Sequence, residues 1–512
     1  MHSKWMEGCL SDSRDDQKKK PNIVWFCTDQ QRFDTIASLG NPHIRTPAID
    51  RLVRGGVAFT RHYVQSPICT PSRASFLTGR YPRSHGVLSN GIGRWPESET
   101  LVTKLLADNG YLCGLMGKLH LTGAQGGAEK RGDDGYDVFL WSNMPRPEDG
   151  TSFNNAYHHW LRAKGHDPFK LFEDVDALIG PGVPAELHQT TWISESACSF
   201  IRANSDRPWM LSLNPFAPHH PFDPPREYLD RYDPEALPDP LFEESDLERQ
   251  EHFANIQHQT HFPVDPRKYH PRGADEHRFP DGKFANHKGV PREYYGKAFK
   301  AAYYAMIEHL DDAVGAIYAE LEATGQLDNT IFIFTSDHGE MLGDHGLLLK
   351  GARFFEGAVR VPMIVHWPAG ARRGLISDAL TEAIDIAPTL LDAADIEIPW
   401  SMQGRSLLPI LTGEAEPHFH KEMVLCEFID AMGKKYTPDH TRATMTFDGR
   451  YKLISYHSHN LFELFDLEND PGEFRNLWND PQFSELRWEL YMRQNDLLAR
   501  QVMFSEQRTM LF

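Results

Sequence analysis

Asn22-Ile23-Val24-Trp25-Phe26-Cys27-Thr28, closed by Asp29, is an apolar run with no alternation of polar and apolar positions. A strand with one wet face alternates. A strand buried on both faces does not, and that pattern belongs to parallel sheets covered by helices on either side. The neighbouring segments fit this reading. Thr46-Pro47 opens a helix with Ile49, Leu52 and Val53 on one face and Gly55-Gly56 at its end, and Val57 to Tyr63 follows as a second strand. Further strands are predicted at Tyr111–Met116, Trp209–Leu213, Thr330–Thr335 and Met363–Trp367. They are separated by helical patterns at Leu101–Asn109, Trp192–Ala203, about Glu293 to Ala323, and Ile384–Ala394 despite Pro388. Strands alternating with helices predict an α/β fold: a large, mostly parallel sheet sandwiched by helices.

From about residue 421 the pattern changes. Met423–Phe428, Ala443–Phe447, Tyr451–Tyr456 and Leu461–Leu467 read as short strands, with Asp448-Gly449 as a tight turn, and a helix follows from about Glu485 to Gln501. The expected organisation is a polar tail over 1–20, a catalytic α/β domain over 21–420, and a smaller C-terminal α+β domain over 421–512 with an antiparallel sheet. The stretch 238–291 is polar, proline-bearing and holds six histidines (252, 258, 261, 270, 277, 287), with no helical His pair. It reads as an insertion that shapes the substrate site or forms a homo-oligomer contact.

Composition narrows the function classes. At 512 residues one compact core is not expected, and 40% hydrophobic with 24% charged residues is ordinary for a globular protein. No apolar run approaches the ~20 residues that span a bilayer, and the first twenty residues lack a signal core, so a cytoplasmic location is expected. Six scattered cysteines suit a reducing compartment. A net charge of −19 argues against nucleic acid and anionic membranes as partners, but not against an anionic substrate, because nearby charges in a cleft outweigh distant screened ones.

In parallel α/β sheets, ligands sit beyond the carboxyl ends of strands. Asp29, Lys118, His219 and Asp337 all fall just past predicted strands, so four distant segments are expected to converge. Asp29-Gln30 and Asp337-His338, the latter within Phe334-Thr335-Ser336-Asp337-His338-Gly339-Glu340, offer two strand-end carboxylates suited to a hard divalent cation.

The run Pro67-Ile68-Cys69-Thr70-Pro71-Ser72-Arg73-Ala74-Ser75-Phe76-Leu77-Thr78-Gly79 carries a family resemblance. It resembles the signature of the type I, formylglycine-dependent sulfatases of the alkaline-phosphatase-like superfamily. In that family the cysteine is oxidised by a maturation enzyme to 3-oxoalanine (formylglycine), whose hydrate is the nucleophile. Pro71 suits a first helical turn, Ser72 is expected to help satisfy its free amides, and Arg73 presents a planar fork of donors to an anion. Gly117-Lys118-Leu119-His120 resembles, more loosely, the second sulfatase signature, and i, i+2 spacing predicts Lys118 and His120 on one face of an extended segment. Pro218-His219-His220-Pro221-Phe222, Lys350 at the end of Gly343-Asp344-His345-Gly346-Leu347-Leu348-Leu349-Lys350, and Glu463 to Glu473 match further family elements.

The resemblance implies hydrolysis of sulfate monoesters of sugar, aryl or alkyl alcohols. Cys69, Arg73, Lys118, His120, His219 and Lys350 would be catalytic, and Asp29, Gln30, Cys69, Asp337 and His338 would be the metal set. Within it, His219 and Lys350 lie at the leaving oxygen and His120 takes the hydrate proton. Calcium is the expected ion. Gln30 and His338 stand where many sulfatases carry Asp and Asn, which makes the site less hard and brings manganese into range. The same two departures resemble choline-sulfatase-like enzymes and phosphonate monoester hydrolases, so cleavage of phosphonate monoesters or phosphodiesters is the alternative.

Overall fold

The computed structural model describes residues 19–124, 129–147, 154–173, 175, 178–260, 263–268, 294–432 and 440–501. Eight strands form the main sheet: β1 (Asn22–Thr28), β2 (Val57–Tyr63), β3 (Leu112–Gly117), β4 (Val138–Trp141), β5 (Trp209–Asn214), β6 (Thr330–Ser336), β7 (Arg360–His366) and β8 (Leu375–Glu382). Their order is β4-β3-β5-β1-β6-β7-β2-β8. All neighbours run parallel except that β7 is antiparallel to both β6 and β2.

The opening apolar run is β1, at the centre of this sheet. All seven of its residues are buried, with Phe26 opposite Leu213 of β5 and Phe334 of β6. Its lack of alternation follows from two covered faces. Val24 and Phe26 pack with Trp192 and Ile193 of the Gln189–Ala203 helix and with Ile307 and Leu310 of the long Gly296–Ala323 helix. Ile23 and Trp25 face the other way, onto Phe76 and Leu77 of the Cys69–Thr78 helix and Leu390 of the Ile386–Ala393 helix. The Trp25 and Phe76 rings lie 5.1 Å apart, and burying each is worth about 1.5–3 kcal/mol. That packing fixes the depth of the helix that begins at Cys69.

Strand direction positions the site. β1, β2, β3, β5 and β6 all point their carboxyl ends to one edge, so the segments entering Asp29, Cys69, Lys118, His219 and Asp337 meet there. The reversed β7 starts at that same edge, so the chain from the end of β6 to Arg360 never leaves it, and Lys350 is delivered to the site.

Four further strands, β9 (Val424–Ile429), β10 (Arg442–Phe447), β11 (Tyr451–His457) and β12 (Leu461–Asp466), make an antiparallel sheet in the order β12-β11-β10-β9. The Ser484–Arg500 helix places Leu490 and Gln494 against it. Tyr63 of β2, with Ile68 and Phe355 from the loops at the strand ends, shares a core with Cys426, Phe447 and Phe465 of the second sheet. The β10–β11 turn holds three residues, with Gly449 at φ 99°.

Two strands escaped the sequence reading. β4 has only four residues, and β8 (Leu-Ile-Ser-Asp-Ala-Leu-Thr-Glu) is an edge strand whose polar positions mask it. Within 238–291, the described part is no appendage. Gln257 to Thr260 run beside residues 348–352, with Gln259 N donating to the Lys350 carbonyl at 3.0 Å and Ala352 N to the Gln257 carbonyl at 2.8 Å. A Cβ on Gly351 would lie 2.5 Å from His258 Cα, so this approach requires glycine. His261, His270, His277 and His287 lie outside the described residues.

Candidate active site

Cys69 is the first residue of a helix buried along its whole length. Its Sγ lies 3.1 Å from His338 Nε2, 3.2 Å from Lys350 Nζ and 3.9 Å from Asp29 Oδ1. The helix start is organised differently from the sequence expectation. The Ser72 hydroxyl does not cap it but donates to the Asp337 carbonyl, while Asn90 Oδ1 accepts the Thr70 amide at 3.0 Å. The hydroxyl is more useful as a tie between the cysteine helix and the end of β6, since the Ser72 amide already bonds the Ile68 carbonyl.

Two carboxylates stand beside the cysteine, each met by cations. Arg73 Nε donates to Asp337 Oδ2 at 2.9 Å and its Nη1 to the Lys118 carbonyl at 3.0 Å, with Nη2 3.9 Å from Asp29 Oδ2. Lys118 Nζ pairs with Asp29 Oδ2. Gly117, at φ 106°, makes the turn into Lys118, and a Cβ there would strike the Asn214 carbonyl at 2.1 Å.

Burial alone would raise the Asp29 carboxyl, but Lys118, joined by His219 and Lys350, outweighs it and holds the group well below the usual range. Burial would likewise raise the Cys69 thiol, yet Lys118, Lys350 and His338 together hold it well below its ordinary value. For His338 burial and Lys350 work downward, and Asp337 together with Cys69 outweighs them, leaving the imidazole raised.

The donor set suits a cation. One ligand atom each from Asp29, Cys69, Asp337 and His338 lies within 4.8 Å of the others, all from buried residues. Lys350 Nζ already collects Gln30 Oε1 at 2.7 Å, His338 Nε2 at 3.0 Å and Cys69 Sγ, three acceptors converging on one positive charge. The His338 Nδ1 proton goes to the Gly339 carbonyl at 3.0 Å, which leaves the Nε2 lone pair facing the site.

The remaining histidines also reach the site, with one correction. His120 has φ 56°, so Lys118 and His120 do not share a face of an extended strand; the chain turns at His120. The turn is held by the Glu129 carboxylate, which accepts the amides of His120 (2.8 Å), Leu121 and Thr122 (2.8 Å) and Trp141 Nε1 (3.2 Å). His120 is nonetheless close enough to Cys69 to help lower its thiol. His219 donates Nδ1–H to the His220 carbonyl at 2.6 Å and also reaches Cys69; burial pushes its imidazole down to about 4. His345 is structural: it stacks on Phe355 at 3.9 Å, and its Nδ1 lies between Asp246 Oδ1 at 3.1 Å and Arg249 Nη2 at 3.0 Å.

All the expected site residues therefore meet at one sheet edge. Sequence reading missed the buried carboxylates of Glu129 and Glu340. A lone Glu in a loop reads as solvated, and only tertiary packing makes it an anchor.

The sulfatase family model matches residues 21–396, and the model of the N-sulphoglucosamine sulphohydrolase C-terminal region matches residues 343–500. The chain is 31% identical over 478 residues to an arylsulfatase of Clostridium perfringens, covering 91% of this chain and 92% of that protein. It is 29% identical over 487 residues to the choline-sulfatase of Rhizobium meliloti, covering 90% and 83%. Among solved structures, a phosphonate monoester hydrolase from Silicibacter pomeroyi shares the fold, with a TM-score of 0.78 at 24% identity over 95% of this chain and 96% of that one. A match of this extent, over a sheet edge that gathers every motif of the signature, means that the chain belongs to the sulfatase family of the alkaline-phosphatase-like superfamily and is a sulfuric ester hydrolase.

Proposed function

We propose that the chain hydrolyses small sulfate monoesters of sugar, aryl or alkyl alcohols, with a formylglycine formed at Cys69 by a maturation enzyme and a divalent cation beside it. The observation that carries this reading is the convergence of the Cys69 thiol, two buried carboxylates and three buried cationic side chains at one strand edge. The hydrated aldehyde supplies two hydroxyls, one to displace the alcohol at sulfur and one whose deprotonation expels sulfate as the carbonyl re-forms. Asp29, Gln30, Asp337 and His338 would hold the ion, which polarises the ester oxygens when bound. Calcium suits the three oxygen donors, and the imidazole nitrogen admits manganese.

The chain's own groups supply the rest. Arg73 Nη2 is buried and without a hydrogen-bond acceptor among the described residues, so it is a donor left over for an anion's oxygen. Lys118 neutralises the same anion from the Asp29 side, and Lys350 stands at the leaving oxygen, where charge develops in the transition state. His219 has committed its Nδ1 proton to a carbonyl, so the proton for the departing alcohol must sit on Nε2. That requires the imidazolium, which a bound anionic ester favours over the empty cleft. His120 Nδ1, likewise unpartnered among the described residues, takes the hydrate proton.

A second reading, phosphonate monoester or phosphodiester hydrolysis, is favoured by the Gln30 and His338 donors, which stand where many sulfatases carry Asp and Asn and leave two carboxylates rather than three beside a site that takes tetrahedral monoanions of similar size. Turnover of 4-nitrophenyl sulfate and 4-nitrophenyl phenylphosphonate, each with calcium and with manganese, tests both. Higher kcat/KM on the sulfate is expected; higher kcat/KM on the phosphonate would transfer the assignment. Mass spectrometry of the Cys69 peptide from active protein should show the aldehyde, and active protein with an intact thiol would overturn the covalent scheme.

A further inference from the structure

Gln30 carries its main chain at φ 71°, a left-handed conformation unusual for a residue other than glycine, and both of its backbone groups are pinned. Its amide donates to Asp337 Oδ1 at 3.0 Å, and its carbonyl accepts the Tyr303 hydroxyl at 2.5 Å. What the backbone leaves undetermined is the terminal amide torsion, which is broad and two-fold. The two ends of that amide are chemically opposite. An oxygen turned into the site can meet a cation, whereas an NH2 group repels one.

Glu340, fully buried, decides between them. Its Oε1 accepts the Leu342 amide at 3.0 Å and the Leu349 amide, and its Oε2 accepts Gln30 Nε2. Across the amide, Lys350 Nζ donates to Gln30 Oε1 at 2.7 Å. A carboxylate accepts only and an ammonium donates only, so just one orientation satisfies both neighbours. The same carboxylate grips the main chain at Leu349, which has φ 67° and directly precedes Lys350.

We propose that Glu340 is a positioning residue that sets the polarity of the Gln30 amide, turning Oε1 into the cation site, while holding the turn that delivers Lys350. The inference rests on the metal reading given above and concerns how the chain prepares that site.

Glu340→Gln keeps the volume but lets its own NH2 donate to Gln30 Oε1, which permits the reversed amide. Binding of Mn2+ to metal-free full-length protein, followed by electron paramagnetic resonance, should weaken about 10- to 100-fold in Glu340→Gln. In a Gln30→Ala background the same change should cost no more than about twofold, because the amide it acts through is gone. Glu340→Asp, which retains an acceptor-only group, should bind Mn2+ more tightly than Glu340→Gln, and this comparison stands even if Glu340→Gln folds poorly. Wild-type affinity in Glu340→Gln, an equal loss in both backgrounds, or Glu340→Asp binding no better than Glu340→Gln would each overturn the inference. Wild-type protein that binds no Mn2+ overturns it together with the metal site. Intact Mn2+ binding without sulfate turnover would overturn the proposed function alone.

Discussion

Replacing Arg73 by Met gives a direct measure of how the buried charges hold the site. The side chain is 1% exposed, and Met keeps most of the aliphatic stem. The change removes the 2.9 Å donor to Asp337 Oδ2 and leaves that oxygen with no Arg73 partner in a dry environment. Asp337 Oδ1 still holds the Gln30 amide, and Asp29 keeps Lys118. Breaking one side of a buried pair costs about 3–5 kcal/mol. At about 2.1 cal/mol/K of unfolding entropy per residue, a chain of 512 residues has about 1.1 kcal/mol/K, so the melting temperature should fall by about 3–5 °C. Activity should fall further, because the lost fork faces charge that develops in the transition state; one such donor is worth about 10²–10³ in kcat. Differential scanning calorimetry and hydrolysis of 4-nitrophenyl sulfate read the two effects separately. A melting temperature within about 1 °C of wild type, or a loss in kcat under about tenfold, would refute the reasoning.

Other outcomes follow from the same geometry. Cys69→Ala should abolish turnover and leave the melting temperature within a few degrees of wild type; appreciable residual hydrolysis measured on purified protein would exclude position 69 as the nucleophile. Glu129→Gln should lower kcat more than it raises KM by loosening the His120 turn, and unchanged steady-state kinetics would show that the turn holds without its anion. Burial pushes His62 and His85 down to about 3 and His188 and His345 down to about 4 from an ordinary 6.5. At these four positions the unfolded chain binds more protons than the folded one between about pH 6.5 and 4, outnumbering Asp223 and Asp311, which burial raises to about 7 and which work the other way, so stability falls as pH drops through that window. A melting temperature that stays flat or rises from pH 7 to 4.5 would contradict this. Dialysis against a chelator should remove activity, and re-addition of calcium or manganese should restore it; full activity after chelation would rule out the metal.

Much of this protein was legible before folding. A seven-residue apolar run without alternation, bounded by polar residues and rich in β-formers, fits a strand covered on both faces, and β1 is that strand, flanked by parallel neighbours on each side. Part of the site was also readable: Asp29, Lys118, His219 and Asp337 each follow a strand whose pattern is local, while Cys69, Arg73, His120 and Lys350 were readable through the resemblance of their segments to sulfatase signatures. The short β4 and the edge strand β8 were not readable: four residues give no period, and an edge strand with a wet side has polar positions like those of a loop.

What tertiary structure decided is the meaning of charge in the loops. Glu129 and Glu340 look in sequence like ordinary solvated residues, and so would Lys350 without its family motif, since a single charge carries no periodicity that predicts its burial. The reversal of β7 is equally invisible along the chain, because direction depends on which edge the connection returns to. Yet that reversal keeps residues 337–359 at the strand ends, brings Lys350 within 3.2 Å of Cys69, and buries Glu340 where its two oxygens meet Gln30 and Leu349. Local pattern determined which strands form and which residues could react; long-range packing decided which loop charges are dry, and a dry charge must be paired.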